Sequence, residues 1–323
     1  MAEGRLMNAA QSSNPEDQRS GLDKGDAGIE WVERAPLGNL NTMGLPATAR
    51  LLATVTSEKG LTGFLEWAKK GGEEFYVLGG GSNVVFAEEF FDRPIMHLGG
   101  DFARLDIGRT TIAAGAAVPL ARLVQEARHA HLSGLEGAWG IPGSLGGALI
   151  GNAGTTGWAI GDQVDTVEVF DRSGIKQRLA VWEIGFRYRR SRLAEWVVTR
   201  AILALKREKR EVIEERIKSA QAGRSGQPQG VRSAGCIFKN PPGEAAGRLI
   251  DAAGLKGLRK GGAVVSAEHA NFIVNEGNAT GADVIELIDE VRRRVYERFT
   301  IELETEVQIL RSSKSCGSDS DSC

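Results

Sequence analysis

Three cysteines in 323 residues give no basis for a disulfide framework. Cys316 and Cys323 stand in a polar tail, Cys236 is alone in the body of the chain, and no C-x-x-C pair occurs, so no metal site is expected. No apolar run approaches the roughly 20 residues that span a bilayer, and the N-terminus has no signal-peptide apolar segment. These absences predict a cytoplasmic protein with no membrane partner. The net charge of −2 supplies no global field to recruit nucleic acid or an anionic surface, so no nucleic-acid partner is expected. Any anionic ligand must be held by a local cluster.

Glycine is abundant instead: 42 residues, about twice the usual share, in a chain otherwise ordinary at 41% hydrophobic and 25% charged. Nine of these glycines fall in Gly134–Gly157, GLEGAWGIPGSLGGALIGNAGTTG. Flexible linkers are Gly/Ser-polar, whereas Trp139, Ile141, Pro142, Leu145, Leu149 and Ile150 are interleaved here. The reading is a buried loop whose backbone N–H groups approach a phosphate-bearing cofactor. A second glycine cluster, Gly79-Gly80-Gly81-Ser82-Asn83, follows the apolar strand Phe75–Leu78. It matches neither GxGxxG, since Val84 stands where the third glycine belongs, nor a P-loop, and a tight turn between strands explains it equally well.

Residues 1–28 and 312–323 are polar, aperiodic and expected to be disordered, which leaves 29–311 to fold. Periodicity predicts helices over Ser57–Lys70, from Pro119 onward, over Lys206–Ala220 and over Asp283–Phe299. Strands are predicted at Thr111–Ala114, Val164–Phe170, Trp196–Leu205 and Ile301–Ile309. The shift to charged helix near 206 marks a domain boundary. Strands without a regular βαβ rhythm argue for an α+β fold.

Three small constellations carry chemistry. Ser233–Asn240, SAGCIFKN, sets Cys236 among small residues; a thiol with an ordinary pKa of about 8.5 is protonated at neutral pH and suits proton donation to a carbanion. A lone cysteine is more often a small buried hydrophobe. Phe186–Ser191 holds Arg187, Arg189 and Arg190, whose guanidinium forks suit a carboxylate or diphosphate, and a solvated basic edge is the other reading. Glu306 lies with Glu302 and Glu304 on the polar side of the last predicted strand, and has a function only if that side faces a cleft.

Six segments occur together in order: LGGGSN (Leu78–Asn83), GIPGSLGGALIGNAGTTG (Gly140–Gly157), YRRS (Tyr188–Ser191), SAGCIFKNP (Ser233–Pro241), HANFIVN (His269–Asn275) and ELETEV (Glu302–Val307). In that order and spacing the chain resembles the UDP-N-acetylenolpyruvoylglucosamine reductase family, over about Asn39 to Leu310. The resemblance implies a two-part FAD-binding domain of the vanillyl-alcohol-oxidase type, residues 29–90 and 91–205, and a smaller α+β substrate-binding domain, residues 206–311. It implies FAD held by Gly79, Gly80, Gly81, Ser82 and Asn83 and by Pro142, Gly143, Ser144, Gly146, Gly147, Asn152, Ala153 and Gly154. NADPH is the implied hydride donor and a nucleotide sugar the implied substrate, with Tyr188, Gln227, Asn240 and His269 near its site. The catalytic residues carried over are Arg189, Glu306 and, as proton donor, Cys236. A monomer is expected.

Three departures stand out. Cys236 replaces the serine most members carry in SAGS, Met43-Gly44-Leu45-Pro46 stands where many have paired glycines, and the third domain has no obvious insertion bearing a capping tyrosine. Two other functions compete: a different FAD oxidoreductase of this fold, and a non-catalytic flavin or nucleotide-sugar binding protein. Flavin is often attached through His or Cys in the first, and neither glycine segment contains either residue. The second need not retain Arg189, Cys236 and Glu306 together.

Overall fold

Ser57 accepts the N–H of Gly60, and Gly72 takes a left-handed φ of 62°, so a cap at each end fixes helix α1 at Glu58–Gly71. Its buried face, Leu61, Phe64, Leu65 and Ala68, is the apolar stripe of the sequence. The computed structural model describes residues 28–313, and the expectations for the remaining terminal residues, Cys316 and Cys323 included, lie outside them. Ser312 and Ser313 fall inside and are bonded, contrary to the expected tail. Ser312 Oγ donates to Phe90 O at 2.7 Å, and Ser313 N donates to Asp92 Oδ1 at 2.9 Å.

The remaining helices are α2 (Leu120–His129), α3 (Leu145–Ile150), α4 (Val181–Ile184), α5 (Arg210–Ala222), α6 (Ala246–Ala252) and α7 (Gly281–Phe299). They accompany three principal sheets in a mixed α+β fold. The first sheet runs Ile29–Pro36, Thr48–Val55, Ile95–Leu98, Tyr76–Leu78, antiparallel at its first pairing and parallel thereafter. Ile95–Leu98 lies beyond residue 90, so the expected break between 90 and 91 falls inside this sheet. The second sheet is antiparallel throughout, in the order Lys176–Ala180, Val164–Phe170, Val197–Ala204, Thr111–Gly115, Leu105–Ile107. The third pairs Ser233–Cys236 with Phe272–Asn275, then Ala263–Val265, then Arg259–Lys260. Against it α7 buries Val284, Leu287, Ile288, Val291 and Val295, each contributing about 1.5–3 kcal/mol by removal from water.

Two predicted elements differ. The helix expected from Lys206 begins only at Arg210, because Lys206 and Arg207 first pair as strand with Ser133 and Leu132. The strand expected over Ile301–Ile309 is reduced to Gln308–Leu310. Before it, Glu306 N and Val307 N both point to Ile237 O, at 2.8 and 3.3 Å, leaving one isolated bridge, Phe238 to Thr305. Leu303 and Val307 are nevertheless buried, so the alternation survives without the ladder. Gln308–Leu310 then pairs in parallel with Val84–Phe86, returning the end of the chain to the segment after the first glycine cluster.

Candidate functional site

The two glycine clusters meet at contact distance. A Cβ on Gly80 would lie 2.7 Å from Gly143 Cα, and one on Gly79 would lie 2.6 Å from Ser144 Oγ. Gly81 has φ +60° and Gly143 φ +106°, conformations that glycine adopts without strain. Ser82 Oγ ties the turns by donating to Pro142 O at 3.2 Å. Among the described residues, the N–H groups of Gly80, Gly81, Ser82 and Asn83 donate to no intramolecular acceptor. Free donors on a glycine-rich turn packed against a second one form a cradle that fits a diphosphate.

These turns line a cleft of about 1710 Å³, above the roughly 300–1,000 Å³ of a single-ligand pocket. That space suits a dinucleotide cofactor together with a second ligand. Gly79–Asn83, Pro142–Ser144, Gly147 and Asn152–Gly154 all border it, as do Tyr188, Arg189, Gln227, Cys236, Asn240, His269 and Glu306. Gly146 does not border it. Its N–H donates to Ala116 O at 2.8 Å and its Cα packs on Ala116, so this glycine serves packing and its N–H is already used. The segment read as loop also contains α3, and the side chain of Asn152 is consumed within the protein. Asn152 Nδ2 donates to Arg187 O at 2.9 Å, and Asn152 Oδ1 accepts from Gly161 N at 3.1 Å.

Arg189 sits at the tip of a two-residue turn closed by Arg187 N to Arg190 O at 2.8 Å, with its own φ at +53°. Non-glycine residues rarely adopt that conformation, and here it turns the guanidinium into the cleft. Arg189 Nη1 donates to Gly154 O at 2.8 Å, and Nε stands 2.7 Å from Glu306 Oε1. The Nε–H direction misses that oxygen, so this contact is an ion pair that leaves Nε, a buried donor, without a hydrogen bond. Arg187 and Arg190 supply the turn's backbone closure.

Of the three glutamates at the chain end, only Glu306 faces inward. Its side chain is 18% exposed, against 82% for Glu302 and 73% for Glu304. Lys239 N donates to Glu304 O at 2.9 Å and Glu306 N to Ile237 O at 2.8 Å, which lays Glu306 alongside the strand end that carries Cys236. Burial raises the proton affinity of Glu306, and the nearby Arg189 guanidinium opposes that rise. Burial, reinforced by the Glu306 charge, pushes the Cys236 thiol up to about 11 against the opposing pull of Arg189 and Arg224. The thiol is therefore protonated at neutral pH, as a proton donor must be.

His269 Nδ1 accepts from Asn271 N at 3.2 Å, which puts the ring proton on Nε2, and burial lowers its pKa. Tyr188 Oη accepts from Asn240 N at 3.3 Å, linking the arginine turn to the third sheet's side of the cleft. Sequence reasoning missed two neighbours. Arg224, just beyond α5, donates to Gly140 O at 3.0 Å and lies close enough to act on Cys236; its signal was a lone basic residue three positions before Gln227. Thr42 donates through Oγ1 to Ser233 O at 2.6 Å and through N to Gly81 O at 3.0 Å, joining the first glycine turn to the Cys236 strand. Nothing in its local sequence announced that reach. Among the described residues no His/Cys/Asp/Glu group could hold a metal ion, and no helix is long and apolar enough to cross a membrane.

Comparison with known proteins places relatives on both halves of the chain. Residues 49–180 match the family described as FAD binding domain, and residues 227–310 match that described as UDP-N-acetylenolpyruvoylglucosamine reductase, C-terminal domain. UDP-N-acetylenolpyruvoylglucosamine reductase of Thermus thermophilus is 44% identical over 278 residues, covering 85% of this chain and 98% of the relative. That of Heliobacterium modesticaldum is 41% identical over 290 residues, covering 88% and 92%. The crystal structure of UDP-N-acetylenolpyruvylglucosamine reductase from Thermus caldophilus superposes with a TM-score of 0.76 at 42% identity, covering 87% of this chain and 98% of that one.

Proposed function

The chain belongs to the UDP-N-acetylenolpyruvoylglucosamine reductase family, and from that premise we propose that it reduces UDP-N-acetylglucosamine enolpyruvate to UDP-N-acetylmuramate for peptidoglycan synthesis, with Cys236 as proton donor. It is an FAD-dependent oxidoreductase with NADPH as hydride source. The observation that carries the reading is the Arg189–Glu306 pair at 2.7 Å in the wall of the cleft that Cys236 also borders.

The chemistry that FAD supplies when bound is hydride transfer, taken from NADPH and passed to the terminal vinyl carbon of the substrate. The free backbone N–H groups of Gly80–Asn83, in the turn that meets Gly143, would hold its diphosphate. Arg189, in the wall of the cleft, receives the substrate carboxylate, and Glu306, against its Nε, fixes the guanidinium plane. As negative charge gathers on the carbon beside that carboxylate, Arg189 stabilises it electrostatically. Cys236 Sγ–H then donates its proton to that carbon, forming the C–H bond and leaving a thiolate that solvent reprotonates. Tyr188, Gln227, Asn240 and His269 orient the nucleotide sugar, His269 as a neutral donor through Nε2.

We place the enzyme in the cytoplasm as a monomer. We divide it into FAD-binding parts at 29–98 and 99–222 and a substrate-binding part from 223, since Lys206–Arg207 pairs with Ser133 and Leu132 and α5 packs beside residues 133–140. The first boundary is moved from 90 because Ile95–Leu98 pairs within the first sheet. The test is anaerobic: the flavin is reduced with NADPH, and UDP-N-acetylglucosamine enolpyruvate is then added to the parent and to Cys236→Ala. Rapid reoxidation by the parent with product formed, and reduction without reoxidation in Cys236→Ala, is the expected result. A parent whose flavin stays reduced until air enters has a different substrate, and a Cys236→Ala enzyme turning over at the parental rate overturns the proton-donor assignment.

A further inference from the structure

Among the described residues, Glu136 is the one charged side chain in the buried polar set, at 7% exposed; the others are Asn, Ser and Thr. Enclosing a carboxylate is costly unless its oxygens are satisfied, and both are. Ser133 Oγ donates to Oε1 at 2.6 Å and Gly134 N donates to Oε2 at 2.7 Å. The Ser133 oxygen in turn accepts from Arg216 Nη1 at 2.5 Å, and the same nitrogen lies 3.9 Å from Glu136 Oε1. A relay thus runs from a buried anion in the glycine-rich segment, through a hydroxyl, to a cation on α5.

The anion itself cannot drift. Trp158 Nε1 donates to Gly134 O at 2.7 Å, and a Cβ on Gly137 would lie 2.4 Å from the Trp158 ring, so the indole is packed against this turn. Just past the end of α5, eight residues beyond Arg216, Arg224 donates to Gly140 O at 3.0 Å and borders the same cleft as Cys236. Helix α5 is therefore fastened across residues 133–140 at two points, the second of which holds a guanidinium in the wall of the cleft that Cys236 borders. Buried Ile213 and Ile217 and the Arg128–Glu214 pair at 3.0 Å hold the same helix on the rest of the fold, so loss of one fastening leaves it docked, with the remaining one alone setting its end against residues 133–140.

We propose that Glu136 is a positioning residue for turnover: through Ser133 it holds Arg216, and through Arg216 it sets α5 so that Arg224 keeps its place in the cleft wall with Cys236. The inference rests on the functional reading above. It is tested by a double-mutant cycle on the reoxidation of reduced flavin by UDP-N-acetylglucosamine enolpyruvate, using Glu136→Gln, Arg224→Ala and the pair. Glu136→Gln is expected to retain bound FAD and to slow reoxidation about fivefold, and the pair to be no slower than Arg224→Ala alone. Arg216→Ala, at a half-exposed position, should reproduce the effect, and Arg216→Lys should recover most of it; these two carry the test if Glu136→Gln does not fold. Parental rates in Glu136→Gln and Arg216→Ala, or effects that multiply with Arg224→Ala, overturn the proposal. Failure of the parent to be reoxidised by this substrate defeats the functional reading instead, before any variant is compared.

Discussion

Asn83 Nδ2 donates to the main-chain carbonyl of Glu306 at 3.1 Å, while the Asn83 carbonyl accepts from Gln308 N at 3.0 Å. A residue of the first glycine turn thereby holds a glutamate more than two hundred positions away, from both sides. The cofactor cradle and the acid of the ion pair are consequently one rigid unit, although they come from opposite ends of the chain.

Asn83→Ala separates the two roles of that residue. Its backbone N–H remains, so FAD should stay bound, but the Glu306 carbonyl loses its one side-chain bond and Arg189 is left with a less firmly held partner, while the Gln308 N and Ile237 O bonds remain. Flavin reduction by NADPH is expected to hold, while kcat for the enolpyruvyl substrate falls about tenfold, the scale of a small misplacement at a reacting centre. Stopped-flow absorbance of each half-reaction checks this. Loss of FAD with no selective effect on the second step would mean that the side chain serves the cofactor directly.

Arg189→Lys tests the fork. Arginine uses Nη1 for Gly154 O and Nε for Glu306, two directions that a single ammonium cannot serve together. We expect kcat to drop about 100-fold with thermal stability nearly unchanged, as for loss of one oriented donor at developing charge. A melting curve and steady-state rates together decide it. A lysine variant near parental activity would show that charge alone suffices.

Gly80→Ala addresses the cradle. The added methyl would stand 2.7 Å from Gly143 Cα, backbone against backbone, so no side chain can yield. Overpacking of this kind costs about 1–3 kcal/mol, and the two turns must separate. FAD affinity measured by fluorescence quenching should weaken by roughly 5- to 150-fold, the same energy read as a binding constant. Gly146→Ala is the contrast, since that glycine packs on Ala116 and is off the cleft: any loss there should appear in stability rather than in FAD affinity.

Local signals carried much of this fold. Ser57 and Gly72 cap α1 where the sequence placed a start and a stop, and Val164–Phe170 is a strand over its predicted bounds. Signals failed where a distant partner decided the outcome. Lys206–Arg207 left the helix pattern because Ser133 and Leu132 offered a strand, and Ile301–Val307 lost its ladder because Ile237 O takes two donors. In the cleft, glycine spacing marked the two turns that meet, because their close approach requires the missing Cβ at Gly80. Thr42 and Arg224 stayed hidden, since what makes them relevant is contact with Gly81, Ser233 and Gly140 rather than anything in their own neighbourhood.

The proton on Cys236 gives a prediction with a definite sign in pH. The folded thiol is held at about 11 against an ordinary 9.0, chiefly by burial, so the folded state binds this proton more tightly than the unfolded chain does. Stability from this group is complete below pH 9, where both states are protonated, and is lost as pH rises from 9 through 11, where the unfolded chain ionises first. Cys236→Ala should therefore lose less stability than the parent over that interval in denaturant titrations. The same shift leaves about 100-fold less thiolate at pH 8 than an ordinary cysteine has, and the thiolate is the nucleophile. Iodoacetamide labelling of Cys236, followed by peptide mass spectrometry to keep it apart from Cys316 and Cys323, should accordingly climb with pH toward a midpoint near 11. A midpoint near 9.0 would mean that Arg189 and Arg224 offset burial, and the thiol would then be partly ionised at mildly alkaline pH. A proton donor already short of its proton would slow turnover on the alkaline side of neutrality, so labelling and the pH–rate profile must agree on where Cys236 titrates.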